Sequence, residues 1–279
     1  MSTQVGIIGA ESAHVNHFLR YFRSGRAPGW VVEAVADTDR AMLEPLRDEY
    51  GVETTTDYQD LIDRVDAVLV CGRDGRDHFA YAEPFLRQGV DVFLNKPVTT
   101  EPEQIAALGD IATASGAVLE GGTALRFASD FRRAAQEGVP RSVTVTGPAD
   151  ASSPYAGLHF YGSHHAGLIS LLLGDPVSPN IDIGALAVGP PEGRSHVVAG
   201  QIEDCHVTLV FTHPDRTSSF HARVSTPAGE VDCLTGPSAP LYVAQMEDFI
   251  WACTQRRAVD QGSLVTPVAI MQQVVNQLP

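Results

Sequence analysis

Short apolar runs alternate with helix-like segments through the first 120 residues, and this alternation limits the possible folds more than any other feature of the chain. The runs cover residues 5–8, 31–36, 67–70, 90–94 and 117–120. Buried apolar strands that alternate with helices of about 10–15 residues indicate a parallel, doubly wound sheet. The first part of the chain is therefore expected to be a Rossmann-type α/β domain.

The pattern changes after about Arg126, where several strand-like segments follow one another without a helix between them. They span residues 142–146, 181–188, 206–212 and 218–225. Such a run of strands predicts a mostly antiparallel sheet, with helices expected over 165–173 and 239–255. We thus expect an α/β chain: a Rossmann-type parallel sheet in residues 1–122 and an α+β domain with an open, mostly antiparallel sheet in residues 123–279.

The composition limits the classes of binding partner that are expected. The 279 residues include 19 Lys and Arg against 34 Asp and Glu, a formal net charge of −15. A chain this acidic repels nucleic acid and anionic membrane surfaces, so small molecules or other proteins are the expected partners. Four scattered cysteines, no signal-peptide pattern and no apolar run near ~20 residues favour a reduced, cytoplasmic protein.

A homo-oligomer, dimeric or tetrameric, is also expected. Val207, Leu209 and Phe211 supply an apolar strand face. The sequence offers too few helices to cover both sides of a sheet.

Lys96 is the first candidate catalytic residue. It follows the fourth apolar strand in the run Asn95-Lys96-Pro97. A lysine at the carboxyl end of such a strand points into the crevice where open α/β sheets bind ligands, and the following proline favours an extended backbone at Lys96. There it would act as a proton donor or hydrogen-bond anchor. The alternative is a strand-end lysine that keeps a loop soluble.

The turn after the first strand departs from the dinucleotide fingerprint G-x-G-x-x-G. The run starts at Gly9, but Glu11 stands at the second glycine position and His14 at the third. A carboxylate there opposes a pyrophosphate, although helix N-terminal amides and Ser12 could still bind one phosphate. The alternative is an ordinary strand–helix turn in which Glu11 favours the helix N-terminus.

Asp37 ends the second strand, 28 residues after Gly9. An acid at this position accepts hydrogen bonds from an adenosine ribose and favours NAD over NADP, whose 2′-phosphate it would repel. A turn-forming aspartate is the equally weighted alternative.

Several segments together resemble the glucose–fructose oxidoreductase/inositol dehydrogenase (Gfo/Idh/MocA) family. The segments are Thr56-Asp57-Tyr58-Gln59-Asp60-Leu61-Ile62, His78, Asn95-Lys96-Pro97 (similar to a Glu-Lys-Pro motif), Leu125-Arg126-Phe127, Tyr161-Gly162-Ser163-His164 and residues 242–259. Asn95 replaces an acid, and Phe160 stands where many members carry Asp. Glu11, Ser12 and His14 match a subgroup with the turn Gly-x-Asp/Glu-Ser-x-His.

This resemblance implies hydride transfer between a nicotinamide and a sugar-like or polyol carbon, with Lys96 and His164 as the proton-handling pair. The expected cofactor contacts are Gly9, Glu11, Ser12, His14, Asp37, Gly72, His78, Asn95 and Pro97. The expected substrate contacts are Arg126, Tyr161 and His165.

Two alternatives remain open at the sequence level. The histidines around positions 14–17, 78 and 159–165 could bind zinc or iron, but they have no metal-ligand spacing and no metal is expected. The broken glycine turn also keeps open a lyase, isomerase, hydrolase or ligand-binding pseudoenzyme on the same fold.

Overall fold

The computed structural model describes residues 2–188, 195–213 and 219–277. The strands are β1 (Thr3–Ile8), β2 (Trp30–Ala36), β3 (Glu53–Thr55), β4 (Ala67–Val70), β5 (Asp91–Asn95), β6 (Leu119–Gly122), β7 (Ser142–Pro148), β8 (Ile181–Val188), β9 (Ser195–Ile202), β10 (Cys205–Thr212), β11 (Phe220–Thr226) and β12 (Gly229–Thr235). The helices are α1 (Ala13–Arg23), α2 (Arg40–Tyr50), α3 (His78–Arg87), α4 (Pro102–Ser115), α5 (Ser129–Ala135), α6 (His159–Leu172), α7 (Ala239–Gln255) and α8 (Gln261–Asn276).

The chain forms two compact units. The first comprises Met1–Thr99, Glu103–Gly121 and Tyr242–Asp260, and the second comprises the remaining segments. After Gly121 the chain passes from the first unit to the second, close to the expected boundary after residue 122. The segment Tyr242–Asp260 differs from the sequence-based division, which assigned it to the second domain.

The first unit is built on a six-stranded sheet with the order β3-β2-β1-β4-β5-β6. The pairs from β3 through β5 are parallel. Every residue of β4 and β5 is buried, as is typical of a parallel sheet covered on both faces. The order reverses between β1 and β4, and ligands of open α/β sheets bind at such a reversal, outside the carboxyl ends of the strands.

Local signals explain where the first helices begin and end. The Ser12 side chain accepts a hydrogen bond from the His14 amide at the start of α1, and Asp39 accepts one from Ala41 at the start of α2. Helix α2 ends at Gly51, whose φ of 59° lies in the left-handed region that glycine adopts at low cost. These caps fix the strand-to-helix turns around the crevice.

The segment Tyr242–Asp260 is bound to the rest of the first unit by ion pairs. Arg256 lies 2.7 Å from the carboxylate of Asp91, which is 7% exposed. Arg257 pairs with Glu120 at 2.8 Å and with Asp248 at 2.7 Å. Burial of the Asp91 carboxylate is costly without such a partner, so this segment is an integral part of the first unit.

The second unit contains a mixed sheet with the order β12-β11-β7-β10-β9-β8. The β7–β10 pair is parallel and the other four pairs are antiparallel. This confirms the expected fold class, a Rossmann-type sheet followed by a mostly antiparallel one.

The apolar residues that motivated an oligomer interface are instead part of the second unit's own core. Val207, Leu209 and Phe211 are buried together with residues of α5, α6 and α8. Side chains alternate along β10, so its other face presents residues such as His206, Thr208 and Val210. The reason given for oligomerisation was therefore wrong, and the oligomer itself stays a prediction.

Candidate functional site

A pocket of about 380 Å³ lies at the carboxyl ends of β1, β2 and β4 in the first unit. Gly9, Glu11, Asp37 and Gly72, four of the residues expected at a cofactor, line it. The sheet order reverses here, and the volume falls within the range of small-molecule and cofactor sites.

Gly9 permits a close approach between the backbone after β1 and that after β4. Its φ of 93° is strained for any other residue, and a Cβ at this position would lie 2.4 Å from the backbone nitrogen of Gly72. The loops after β1 and β4 can therefore meet this closely only with a glycine at position 9. The first fingerprint glycine is kept for this steric reason.

Asp37 lines the pocket, and its carboxylate also stabilises the backbone beside it. One carboxylate oxygen accepts a hydrogen bond from the Ala10 amide at 2.6 Å, and the other accepts one from the Asp39 amide at 2.9 Å. The carboxylate thus joins the turn after β1 to the end of β2. Each oxygen has a second lone-pair direction with which to accept a hydroxyl from a ligand.

The two residues that come next in the β1–α1 turn differ in role. Glu11 lines the pocket and accepts a hydrogen bond from the Arg73 backbone amide at 3.3 Å. Ser12 is buried and caps α1. The carboxylate of Glu11 therefore remains at the place where a pyrophosphate would bind, with Arg73 also in the lining to offset its charge.

His14 does not line this pocket. Its Nδ1 lies 3.0 Å from Oδ1 of Asn95, and its Nε2 lies 2.9 Å from the hydroxyl of Tyr242. Burial and then the charge of Lys96 lower the pKa of His14 to about 4. The imidazole is directed into the unit and not into this pocket.

Lys96 is buried at the end of β5, with 6% of its surface exposed. Desolvation, and to a lesser extent the charge of Arg73, lower its pKa to about 7. It is also the only lysine of the chain, since all other Lys and Arg positions are arginine. A lysine with this pKa can donate or accept a proton near neutral pH.

His78 joins two loops of the first unit. Its Nε2 lies 2.8 Å from the Gly72 carbonyl oxygen and its Nδ1 lies 3.2 Å from that of Val98. The ring is fully buried, and desolvation lowers its pKa. His78 therefore supports Gly72 from below. Pro97 packs in the same region, where a Cβ on Gly75 would lie 2.8 Å from it.

In the second unit, His164 lies on α6 and is 3% exposed. Its Nδ1 is 2.6 Å from the hydroxyl oxygen of Thr123, which also accepts a hydrogen bond from the Leu125 amide. Half-buried Tyr161 lies beside it, with ring centroids 6.0 Å apart. The bond to Thr123 fixes the ring orientation and directs Nε2 away from Thr123.

The other two expected substrate contacts have structural partners. His165 is fully buried between Phe211 and Phe220, with centroid distances of 4.7 and 5.1 Å, and desolvation lowers its pKa to about 4. Arg126 makes two hydrogen bonds to Asp175, at 2.9 and 2.6 Å, and one to the Gly167 carbonyl. Neither geometry favours contact with a substrate.

The structure thus brings one subset of the expected residues together and separates others. Gly9, Glu11, Asp37 and Gly72 meet at the pocket, whereas His14 and Asn95 bond to each other. Lys96 belongs to the first unit and His164 to the second, so their convergence stays a prediction.

Tyr242 and Thr123 were not expected as partners of candidate residues. Tyr242 lies 228 positions from His14, and Thr123 lies 41 positions from His164. No local pattern marks either contact.

Within residues 2–188, 195–213 and 219–277, no group of three or more His, Cys, Asp or Glu side chains is placed to hold a metal ion. No helix in the described part of the chain is both long enough and apolar enough to cross a membrane.

The sheet order and the pocket at its reversal define a Rossmann-type nucleotide-binding fold. Residues 3–123 match the model of the Gfo/Idh/MocA oxidoreductase family, described as having an NAD-binding Rossmann fold. This match over the first part of the chain confirms the resemblance seen in the sequence. No curated protein sequence matches the chain significantly.

Solved structures with the same fold extend over nearly the whole chain. GenD2 from gentamicin A biosynthesis, in complex with NAD, has a TM-score of 0.83 at 17% identity and covers 99% of this chain and 94% of its own. UDP-N-acetylglucosamine 3-dehydrogenase GnnA from Acidithiobacillus ferrooxidans has a TM-score of 0.79 at 20% identity, with coverages of 99% and 98%. Scyllo-inositol dehydrogenase from Lactobacillus casei, with NAD(H) and scyllo-inositol bound, has a TM-score of 0.81 at 16% identity, with coverages of 98% and 96%.

Proposed function

We propose that this protein is an NAD-dependent oxidoreductase that transfers a hydride to or from a hydroxyl or ketone carbon of a small sugar-like or polyol substrate. The observation that carries the proposal is the pocket at the β1–β4 reversal, where Asp37 ends β2 and Gly9 meets Gly72. The fold is shared with dehydrogenases of sugars and inositols, whose substrates suggest the class.

The pocket residues fit NAD. Asp37 offers carboxylate lone pairs to the adenosine ribose, and its negative charge disfavours the 2′-phosphate of NADP. Tyr58 and Tyr81, which pack edge to face at 4.9 Å, give the pocket an aromatic wall against which an adenine can lie. The first amides of α1 and the guanidinium of Arg73 supply positive potential for a pyrophosphate.

The nicotinamide, when bound, supplies the hydride donor or acceptor. The protein's own task is proton transfer at the substrate oxygen. Lys96, with its pKa near 7, donates a proton to that oxygen during ketone reduction and accepts one during alcohol oxidation. His164, oriented by Thr123, presents Nε2 as a second hydrogen-bonding group to the same oxygen.

The test is isothermal calorimetry with NAD⁺ and NADP⁺. We expect NAD⁺ to bind more tightly than NADP⁺. We expect Asp37→Ala to reduce this difference in affinity, because it removes the charge that repels the 2′-phosphate of NADP⁺. Asp57→Ala is the matched control, since Asp57 also accepts a backbone hydrogen bond, from Gln59 at 2.9 Å, but does not line the pocket. Equal affinities in the parent protein would contradict the role of Asp37.

Glu11 favours a second candidate, a non-redox enzyme or ligand-binding protein on the same fold. Its carboxylate lines the pocket where a pyrophosphate would lie. If neither dinucleotide binds at millimolar concentration, this second candidate replaces the first. If Glu11→Gly then restores binding of NAD⁺, the carboxylate is identified as the group that excludes the dinucleotide.

A further inference from the structure

Two of the residues that depart from the family's motifs are hydrogen-bonded to each other. His14 stands at the third glycine of the fingerprint, and Asn95 stands at the acid of the Glu-Lys-Pro motif. Their Nδ1 and Oδ1 atoms are 3.0 Å apart, although 81 positions separate them in the chain. The two departures therefore form one local arrangement instead of two independent losses.

A third residue completes the arrangement from the far end of the chain. The hydroxyl of Tyr242 lies 2.9 Å from Nε2 of His14, so the imidazole sits between an amide and a phenol. Tyr242 is buried, and its ring stacks on His17 with centroids 4.5 Å apart and an interplanar angle of 17°. The packing fixes the ring of Tyr242 while its hydroxyl holds His14.

A neutral imidazole satisfies both contacts at once. With its proton on Nδ1, His14 donates to Oδ1 of Asn95 and accepts from Tyr242 at Nε2. The charged or titratable groups around it are Lys96, His17, Arg73 and Tyr242, and burial acts in the same direction as the three basic groups by opposing a charge on His14. An acid at position 95 would reverse this balance, because it would attract protons to both His14 and Lys96.

We propose that Tyr242, His14 and Asn95 form an uncharged hydrogen-bonded clamp that positions the Lys96 turn for proton transfer. The three are positioning residues, and only their catalytic purpose rests on the proposed function. Asn95 precedes Lys96 directly and is 2% exposed, so a displacement of Asn95 displaces the lysine with it. The absence of a carboxylate at position 95 keeps Lys96 able to release its proton near neutral pH.

The single lysine of the chain makes a direct test possible. Protein labelled with [ε-¹³C]lysine gives one side-chain signal, that of Lys96, and its titration can be followed by NMR in the whole protein without a substrate. We expect a midpoint near pH 7 in the parent protein. Asn95→Asp should raise it by about one pH unit or more, since a nearby carboxylate stabilises the ammonium form.

Tyr242→Phe is the mildest disruption, since it removes one hydroxyl and keeps the ring. We expect Tyr242→Phe either to release His14 from its single Nδ1–H tautomer, as seen in ¹⁵N spectra, or to raise the titration midpoint of Lys96. Tyr50→Phe is the control, because it removes a comparable hydrogen bond, from Tyr50 to Asn16 at 3.0 Å, in the same unit. The clamp is disproved if the Lys96 midpoint and the His14 tautomer in both Asn95→Asp and Tyr242→Phe equal those of the parent protein.

The outcome is separable from that of the proposed function. If no dinucleotide binds, the redox assignment fails, whereas the two NMR titrations still decide whether the clamp exists. If a substrate is identified, Tyr242→Phe should lower kcat about tenfold with little change in KM and shift the pH profile, whereas Tyr50→Phe should change neither. A wild-type pH profile and kcat in Tyr242→Phe would show that the clamp has no catalytic purpose.

Discussion

The Lys96 turn of the first unit and helix α6 of the second both bury basic side chains, but they hold them in different surroundings. Near Lys96 the polar partners form a connected set in which Asn95, His14 and Tyr242 bond to one another. On α6 two successive histidines diverge, since His164 bonds to Thr123 whereas His165 packs between phenylalanines. Burial alone therefore does not mark function. A hydrogen-bond partner that selects one protonation state or orientation of the buried side chain is a better indicator of function.

Lys96→Met sharpens this comparison most, because it should change activity and stability in opposite directions. We expect turnover to fall by about 10²–10⁴-fold, the usual contribution of a positioned acid or base. We also expect the thermal midpoint at pH 6 to rise by about 2–4 °C, since the variant no longer buries a charge. Steady-state kinetics and differential scanning fluorimetry measure the two effects.

The sign of the stability change is set by the lowered pKa of Lys96. Between about pH 7 and its ordinary value of 10.5, the unfolded lysine holds a proton that the folded one has lost. Stability should therefore rise with pH across this window, and the cost of the buried charge is complete below pH 7. The stability advantage of the methionine variant should accordingly shrink as the pH rises from about 7 to 10.5, and an advantage independent of pH would contradict the assignment.

The two histidines of α6 should separate chemistry from packing. We expect His164→Ala to lower turnover by about 10²–10⁴-fold with a modest change in thermal midpoint. His165→Ala should instead lower stability by about 2–5 kcal/mol, as other large-to-small core substitutions do, while the folded fraction keeps its turnover. Urea denaturation and kinetics on both variants test this, and a reversed order of effects would exchange the two roles.

Thr123 should show the smallest of these effects. We expect Thr123→Val to lower kcat about tenfold, because the loss of the hydroxyl frees the ring of His164, whereas Thr123→Ser should keep most of the activity. The serine variant controls for packing around Gly167, where a Cβ would lie 2.6 Å from the Thr123 methyl group. Equal losses in both variants would point to packing instead of orientation.

Sequence patterns anticipated the elements that carry strong local signals. Helix α2, for example, begins after a capping aspartate, Asp39, and ends at a left-handed glycine, Gly51. Strand β3 was missed because it consists of three polar residues, and helix α8 was missed because Gly262 and Pro267 argue locally against a helix. Tertiary packing outweighs these local preferences.

In the candidate site, too, the features with a local signal could be predicted and those set by tertiary packing could not. The strand-end positions of Gly9 and Asp37 could be placed at one crevice because all parallel strands end at the same edge of their sheet. The inward direction of Val207 and its neighbours was misjudged, since a strand alone does not reveal which of its two faces the helices cover. Contacts such as His14 with Tyr242 depend on the completed fold and leave no trace in a local pattern.

The return of Tyr242–Asp260 to the first unit also affects the order of events during synthesis. Many N-terminal domains complete their folding while the ribosome is still translating the rest of the chain. Here the arginine that pairs with buried Asp91 is residue 256, so the first unit is completed only after all strands of the second unit have been translated. A fragment that ends at residue 122 would lack this ion pair and the segment Tyr242–Asp260, so we expect it to be less stable than the whole first unit.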